Sequence, residues 1–232
     1  MKKKIIWSLF VVTLFSLTII GCSKSKPTNA ESDRLREEIE VLTERNANLQ
    51  EAVNDSDKKY RSLETKVKDQ VSIIEMFKEN KQNDKYELLP AYTANVDTYK
   101  QEIGFYMVIP KDKTLIQKLN MIGGELSKYY FNDLPIEVVR IDEVKGKKVA
   151  VVNLKESKDN QGIKDASMLK SPAWATEFLQ GSAGGIITED RLIGSFLQKE
   201  YKGEWIDGVK FLYNNDNVNF QHTPTLAEIS YK

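Results

Sequence analysis

Ile136-Glu137-Val138-Val139-Arg140-Ile141-Asp142-Glu143-Val144-Lys145-Gly146-Lys147-Lys148-Val149-Ala150-Val151-Val152-Asn153-Leu154 is the stretch that decides the fold. Two runs rich in β-branched residues, Ile136 to Val144 and Lys148 to Leu154, read as strands. Lys145-Gly146-Lys147 between them supplies a glycine for a positive φ and is too short for anything but a tight turn. A β-hairpin is therefore expected here, and the neighbouring segments are read as what packs against it.

Upstream, Ile103 to Ile109 forms a third strand-like run closed by Pro110. Asp112 or Thr114 can cap a helix that places Leu115, Leu119, Ile122, Leu126 and Tyr130 on one face. Gly123 and Gly124 inside it imply close packing or a break, since each costs about 1 kcal/mol of helix propensity. Tyr92 to Tyr99 reads as an irregular lead-in or an edge strand. Downstream, Asn153 to Lys170 is polar, and Ser171-Pro172 opens an apolar helical stretch through Trp174, Phe178 and Leu179. Gly181-Ser182-Ala183-Gly184-Gly185 interrupts it, a helix follows from about Thr188 to Tyr201, and Val209 to Tyr213 gives a last strand. This order predicts an α+β head over residues 90–232 with a two-layer βαββαβ sandwich.

A different periodicity precedes the head. Residues 33–85 contain neither Pro nor Gly, and a heptad frame with Leu35 at d fits them. Leu35, Leu42, Leu49, Ser56, Leu63, Gln70 and Phe77 occupy d, and Ile39, Asn46, Val53, Tyr60, Val67, Ile74 and Lys81 occupy a. Ten of these fourteen positions are apolar, which predicts a long coiled-coil helix. The two-residue seam is narrower than the stripe a helix needs to pack on a globular core, so self-association into a homo-oligomer is expected through Leu35, Ile39, Leu42, Asn46, Leu49, Val53, Tyr60, Leu63, Val67 and Ile74. Asn46 at a favours parallel chains in fixed register, because its buried amide finds a partner only in that alignment.

At the N-terminus, Lys2, Lys3 and Lys4 precede an apolar run from Ile5 to Ile20, followed by Gly21 and the chain's one cysteine, Cys22. Sixteen residues span roughly 24 Å as a helix, short of the roughly 30 Å hydrocarbon core of a bilayer, which favours a cleaved signal over an anchor. An uncleaved anchor would leave the same topology. The pattern resembles a bacterial lipoprotein signal peptide over residues 1–21. That resemblance implies cleavage after Gly21, acylation of Cys22 with palmitate-type chains, a tether over 22–32 and a position on the extracytoplasmic face of the membrane.

The 34 basic and 34 acidic residues cancel, which argues against nucleic acid as a main partner. With no cysteine beyond Cys22, the head folds without disulfides or thiolate metal sites.

The order of hairpin, glycine loop, amphipathic helix and closing strand resembles the GerMN-type sporulation and spore germination domain. The carrying segments are Lys148-Val149-Ala150-Val151-Val152-Asn153-Leu154, Phe178-Leu179-Gln180-Gly181-Ser182-Ala183-Gly184 and Gly208 to Tyr213. The resemblance implies a membrane-anchored interaction module without catalytic residues or cofactors. The polar insert at about Lys155 to Ser171 departs from that pattern.

Enzyme chemistry finds little purchase. Gly181-Ser182-Ala183-Gly184 resembles a nucleophile elbow, but Gln180 stands where that motif needs glycine. His222 is the only histidine and reads as a loop residue, Glu200 and Glu204 as solvated acids rather than a glycosidase pair, and no His, Asp and Glu cluster has metal spacing. Trp174 and Trp205 are read as core or interface residues, with stacking on a sugar as the alternative. The expected function is thus a non-enzymatic envelope lipoprotein that binds another envelope protein or a wall component. An extracytoplasmic small-ligand or glycan binder is the alternative, and a wall-active enzyme comes third.

Overall fold

A computed structural model describes residues 29–78 and 84–232. The signal segment, its Gly21 and Cys22, most of the tether and Lys81 lie outside the described residues. The chain divides into two units, with the boundary between Lys59 and Tyr60. It is an α+β protein with a long N-terminal helix.

Helix α1 runs Asn29–Lys78, so helix begins inside the stretch expected to be tether. Glu31 in the first turn and Lys78 in the last complement the helix dipole. None of the described residues forms a helix long and apolar enough to cross a membrane.

Two sheets follow. Strands β1 (Tyr86–Ala94) and β2 (Gln101–Pro110) pair antiparallel as a two-stranded sheet. Of the segment expected as an irregular lead-in or an edge strand, Tyr92 to Ala94 is the end of β1, and the remainder to Tyr99 is the turn into β2. On β2, Phe105, Met107 and Ile109 alternate inward as the period of two requires. On β1, Pro90 lies opposite Tyr106, a place where its missing N–H costs no ladder bond.

Helix α2 (Leu115–Tyr130) starts at a capping box: Thr114 accepts from the Gln117 N–H, and the Gln117 side chain accepts from the Thr114 N–H. Its buried face carries Leu119, Ile122, Leu126 and Tyr129. Of its two glycines, Gly123 is the tight one, because a Cβ there would stand 2.9 Å from the Ile136 carbonyl oxygen. The helix therefore continues through the pair and packs closely.

The second sheet holds the expected hairpin. Strands β3 (Ile136–Val144) and β4 (Lys147–Leu154) join through Lys145 and Gly146, both at positive φ (53° and 77°). β4 is central, buried on both faces from Val149 onward, and pairs in parallel with β5 (Gly208–Tyr213). Short strands β6 (Asp216–Asn217) and β7 (Ser230–Tyr231) flank β5.

The crossover from β4 to β5 differs most from expectation. The stretch after Pro172 makes only one π-helical turn, Trp174–Phe178. Helix α3 (Ser182–Glu189) starts within the glycine stretch, widens into a π turn over Asp190–Gly194 and closes at Ser195–Leu197. Gln198 then turns left-handed (φ 45°), so Tyr201 is no longer helical. The core joins Trp174, Phe131, Phe196, Phe211, Leu154 and Leu126 in one cluster. β2 pairs with β1 and not with the larger sheet, which separates the observed pairing from a single four-stranded βαββαβ sheet.

Candidate functional site

In both units α1 carries exposed apolar residues. In residues 29–59, Leu35, Ile39, Leu42, Leu49 and Val53 are all exposed, with Asn46 and Ser56 between them in the same line. In the second unit Tyr60, Leu63, Val67, Val71 and Ile74 are exposed too, and the ten apolar residues together range from 47 to 68 %.

At about 100° per residue, Tyr60, Leu63, Val67, Val71 and Ile74 share one face. Lys66, Asp69, Gln70 and Ile73, all half-buried, lie roughly 100° around from it. The heptad frame needs one correction here. Gln70 turns toward the head and Val71 takes its place in the exposed line, while Phe77 is half-buried.

The inward face of α1 is a polar latch. The Gln70 carboxamide accepts from the Tyr106 N–H (2.9 Å) and donates to the Tyr106 carbonyl (3.2 Å), as a neighbouring strand would. Lys66 Nζ donates to the Tyr129 carbonyl (2.6 Å), one of the unpaired carbonyls in the last turn of α2. Asp69 accepts from Lys128 Nζ (2.8 Å) and from the Tyr129 hydroxyl (2.6 Å). Those two bonds hold the Asp69 carboxyl below its ordinary range, the Lys128 bond first, and the bond to Asp69 is in turn the main cause that raises Lys128. Burial pushes Lys66 down.

The same device closes other strand edges. Asn120 on α2 accepts from the Val138 N–H (2.9 Å) and donates to its carbonyl (3.4 Å) beside the β3 bulge. On β1, Ser195 Oγ accepts from the Tyr92 N–H (2.8 Å) and Gln198 donates to the Pro90 carbonyl (2.7 Å). Side-chain amides and a hydroxyl thus occupy backbone groups that could otherwise recruit a further strand.

The residues weighed for catalysis are scattered into structural roles. Ser182 is exposed at the start of α3, and His222 is half-buried on the C-terminal loop. A Cβ on Gly185 would meet the His222 carbonyl oxygen at 2.1 Å, so this glycine serves a close approach to the C-terminal loop. Glu204 pairs with Lys148, and Glu200 is exposed. Trp174 and Trp205 are both buried, and Trp205 Nε1 donates to the Phe196 carbonyl (2.7 Å). Neither lines the groove described below. Among the described residues no group of three or more His, Cys, Asp or Glu could hold a metal.

Sequence reasoning missed Glu156. It is 1 % exposed and accepts from the Trp174 N–H (3.1 Å), the Ala175 N–H (3.0 Å) and the Tyr213 hydroxyl (3.0 Å). It thereby caps the π turn and fixes β5 to the insert. Burial first, and Glu156 second, push the Tyr213 hydroxyl up. Above this carboxylate the insert and the β5–β6 turn enclose a groove of about 750 Å3. The only cue in the sequence was a polar segment too long for a plain connection.

Comparisons with protein families, with curated proteins and with solved structures return no match for this chain.

Proposed function

We propose that this chain is a lipid-tethered, non-enzymatic envelope protein that self-associates through α1 and carries a GerMN-like head for another envelope protein or a wall component, with a role in sporulation or germination. The observation that carries this reading is the line of exposed apolar residues on α1. Ten such residues on a helix otherwise rich in charge are costly to leave in water, and a second copy of the same line is their natural cover.

Charge pattern supports parallel pairing. In register, Glu31 at g faces Arg36 at e of the partner, and no g and e positions from Glu31 to Asp57 oppose like charges. The Cys22 context supports an extracytoplasmic tether. For the head, support comes from the element order from β2 through α2, β3 and β4 to β5, a variation on the layered βαββαβ plan in which β2 takes β1 as its partner. The capped strand edges favour recognition by faces or grooves over strand addition.

Cross-linking in intact cells with wild type and Cys22→Ala tests this reading. Wild type is expected at the membrane, cross-linked to itself and to an envelope neighbour. Cys22→Ala is expected to leave the membrane and lose that neighbour while keeping its self-cross-link. Identical neighbours captured equally by both forms would contradict the tether, and a strictly monomeric wild type would contradict the stalk.

A further inference from the structure

The groove beside Glu156 has chemistry of its own. Its volume, about 750 Å3, falls within the range of small-ligand sites. One wall is the insert, which carries Lys164, and the other is the turn of Asn214, Asn215 and Asp216. Tyr213 and Phe220 lie between them, half-buried and edge to face, with ring centroids 5.2 Å apart at 84°.

Each group is set in place from behind. The Tyr213 hydroxyl is held by Glu156 (3.0 Å), which fixes the ring. Asn215 and Asn153 exchange two bonds: Asn153 Nδ2 donates to Asn215 Oδ1 (2.8 Å), and the Asn215 N–H donates to Asn153 Oδ1 (2.9 Å). This uses the Asn215 oxygen and leaves its amide nitrogen as a donor at the rim. Both asparagines of the turn sit at positive φ (49° and 71°), so the turn is a shaped loop. Lys164 is exposed and pairs with no described carboxylate, whereas Lys155 at the rim is engaged by Glu137. Asp216 is the one acidic lining residue.

An uncommitted cation, amide donors, one acceptor and a fixed aromatic surface make a specific demand on a ligand. A pyranose offers a C–H face to the rings and hydroxyls to the amides and to Asp216, and a carboxylate on it satisfies Lys164. The lining contains no arginine, and the N-terminal turn that borders it at Ala175 already has its N–H groups taken by Glu156. We propose that this groove binds an acidic saccharide, a hydroxyl-rich pyranose bearing a carboxylate. This deepens the wall-component arm of the proposed function and does not depend on self-association.

Equilibrium dialysis of the full chain in detergent against labelled N-acetylglucosaminyl-N-acetylmuramic acid tests the site, with the neutral disaccharide chitobiose as its counterpart. Saturable binding of the acidic sugar is expected, with chitobiose weaker by about tenfold. Lys164→Glu, on an exposed residue without partners, is expected to weaken the acidic sugar by at least about tenfold and to leave the melting temperature and the chitobiose affinity unchanged. Phe220→Leu is expected to weaken both sugars. Absence of saturable binding up to about 10 mM, equal affinity for both sugars, or indifference to Lys164→Glu overturns the proposal. If self-cross-linking through α1 persists while saccharide binding fails, this inference alone is lost.

Discussion

Replacing Gln70 with alanine isolates the joint between α1 and the head. The Gln70 carboxamide bonds both backbone groups of Tyr106, at 2.9 and 3.2 Å, and Tyr106 sits opposite Pro90, which gives it no ladder bond. A neutral hydrogen bond nets about 0.5–1.5 kcal/mol. Because this edge is open to water, which can replace the lost partner, the low end applies to each bond and the pair contributes about 1 kcal/mol. For a chain of this size that is a fall of about 2–4 °C in Tm. Urea unfolding followed by circular dichroism reads the stability, and amide exchange at Tyr106 reads the bond itself, with an increase of about fivefold expected. Gln70→Glu is not expected to rescue, since it keeps an acceptor for the N–H but sets a carboxylate oxygen against the Tyr106 carbonyl. A change below about 0.2 kcal/mol with unaltered Tyr106 exchange, or full rescue by glutamate, would refute the reading of Gln70 as a peptide mimic.

Glu156→Ala strands two buried N–H groups and the Tyr213 hydroxyl, at about 3–5 kcal/mol in urea unfolding, and Glu156→Gln, which retains an acceptor oxygen, is expected to cost clearly less. Gly104→Ala places a methyl 1.7 Å from the Tyr130 hydroxyl oxygen, so a loss of about 1–3 kcal/mol is expected by thermal melting, and Gly184→Ala, with nothing within 4 Å, is its harmless control. The Asp69 carboxyl lies below its ordinary value of 3.8, so its latch contributes fully above that pH and is lost as pH falls through the lowered value. Between about pH 5 and pH 2 the wild type is therefore expected to lose more stability than Asp69→Asn, and equal losses would contradict a role for Asp69.

Local rules made some of this legible. Lys145-Gly146 fixed the hairpin because a two-residue turn at positive φ has few alternatives, and Asp112 or Thr114 marked the start of α2, with the capping box to Gln117 deciding for Thr114. Most of β1 escaped, the edge-strand alternative reaching only Tyr92 to Ala94, because Pro90 argues against a strand until its unused edge is visible, and Gln198 on the crossover is what occupies that edge. The crossover helix was misplaced because Gly181-Ser182-Ala183-Gly184-Gly185 has poor helix propensity, and the reasons for two of its glycines, the positive φ of Gly181 (77°) and the approach of the His222 carbonyl to Gly185, are tertiary. Gln70 read as a weak seam residue since a heptad frame records spacing and not what lies on the other face. Glu156 gave no local signal, because its three partners come from segments 18 to 57 residues away.

Self-association through α1 is the central claim, and paired cysteine cross-linking tests it most directly. With Cys22 the only native cysteine and taken up by the proposed lipid, single thiols at Leu49, Val67 and Glu51 can each be introduced by substitution and oxidised in the full chain. Leu49→Cys and Val67→Cys are expected to form covalent dimers readily, since the seam of a parallel pair brings like positions together, and Glu51→Cys, on the outer face, is expected to remain monomeric. Equal cross-linking at all three positions, or none at Leu49 and Val67, would contradict the account.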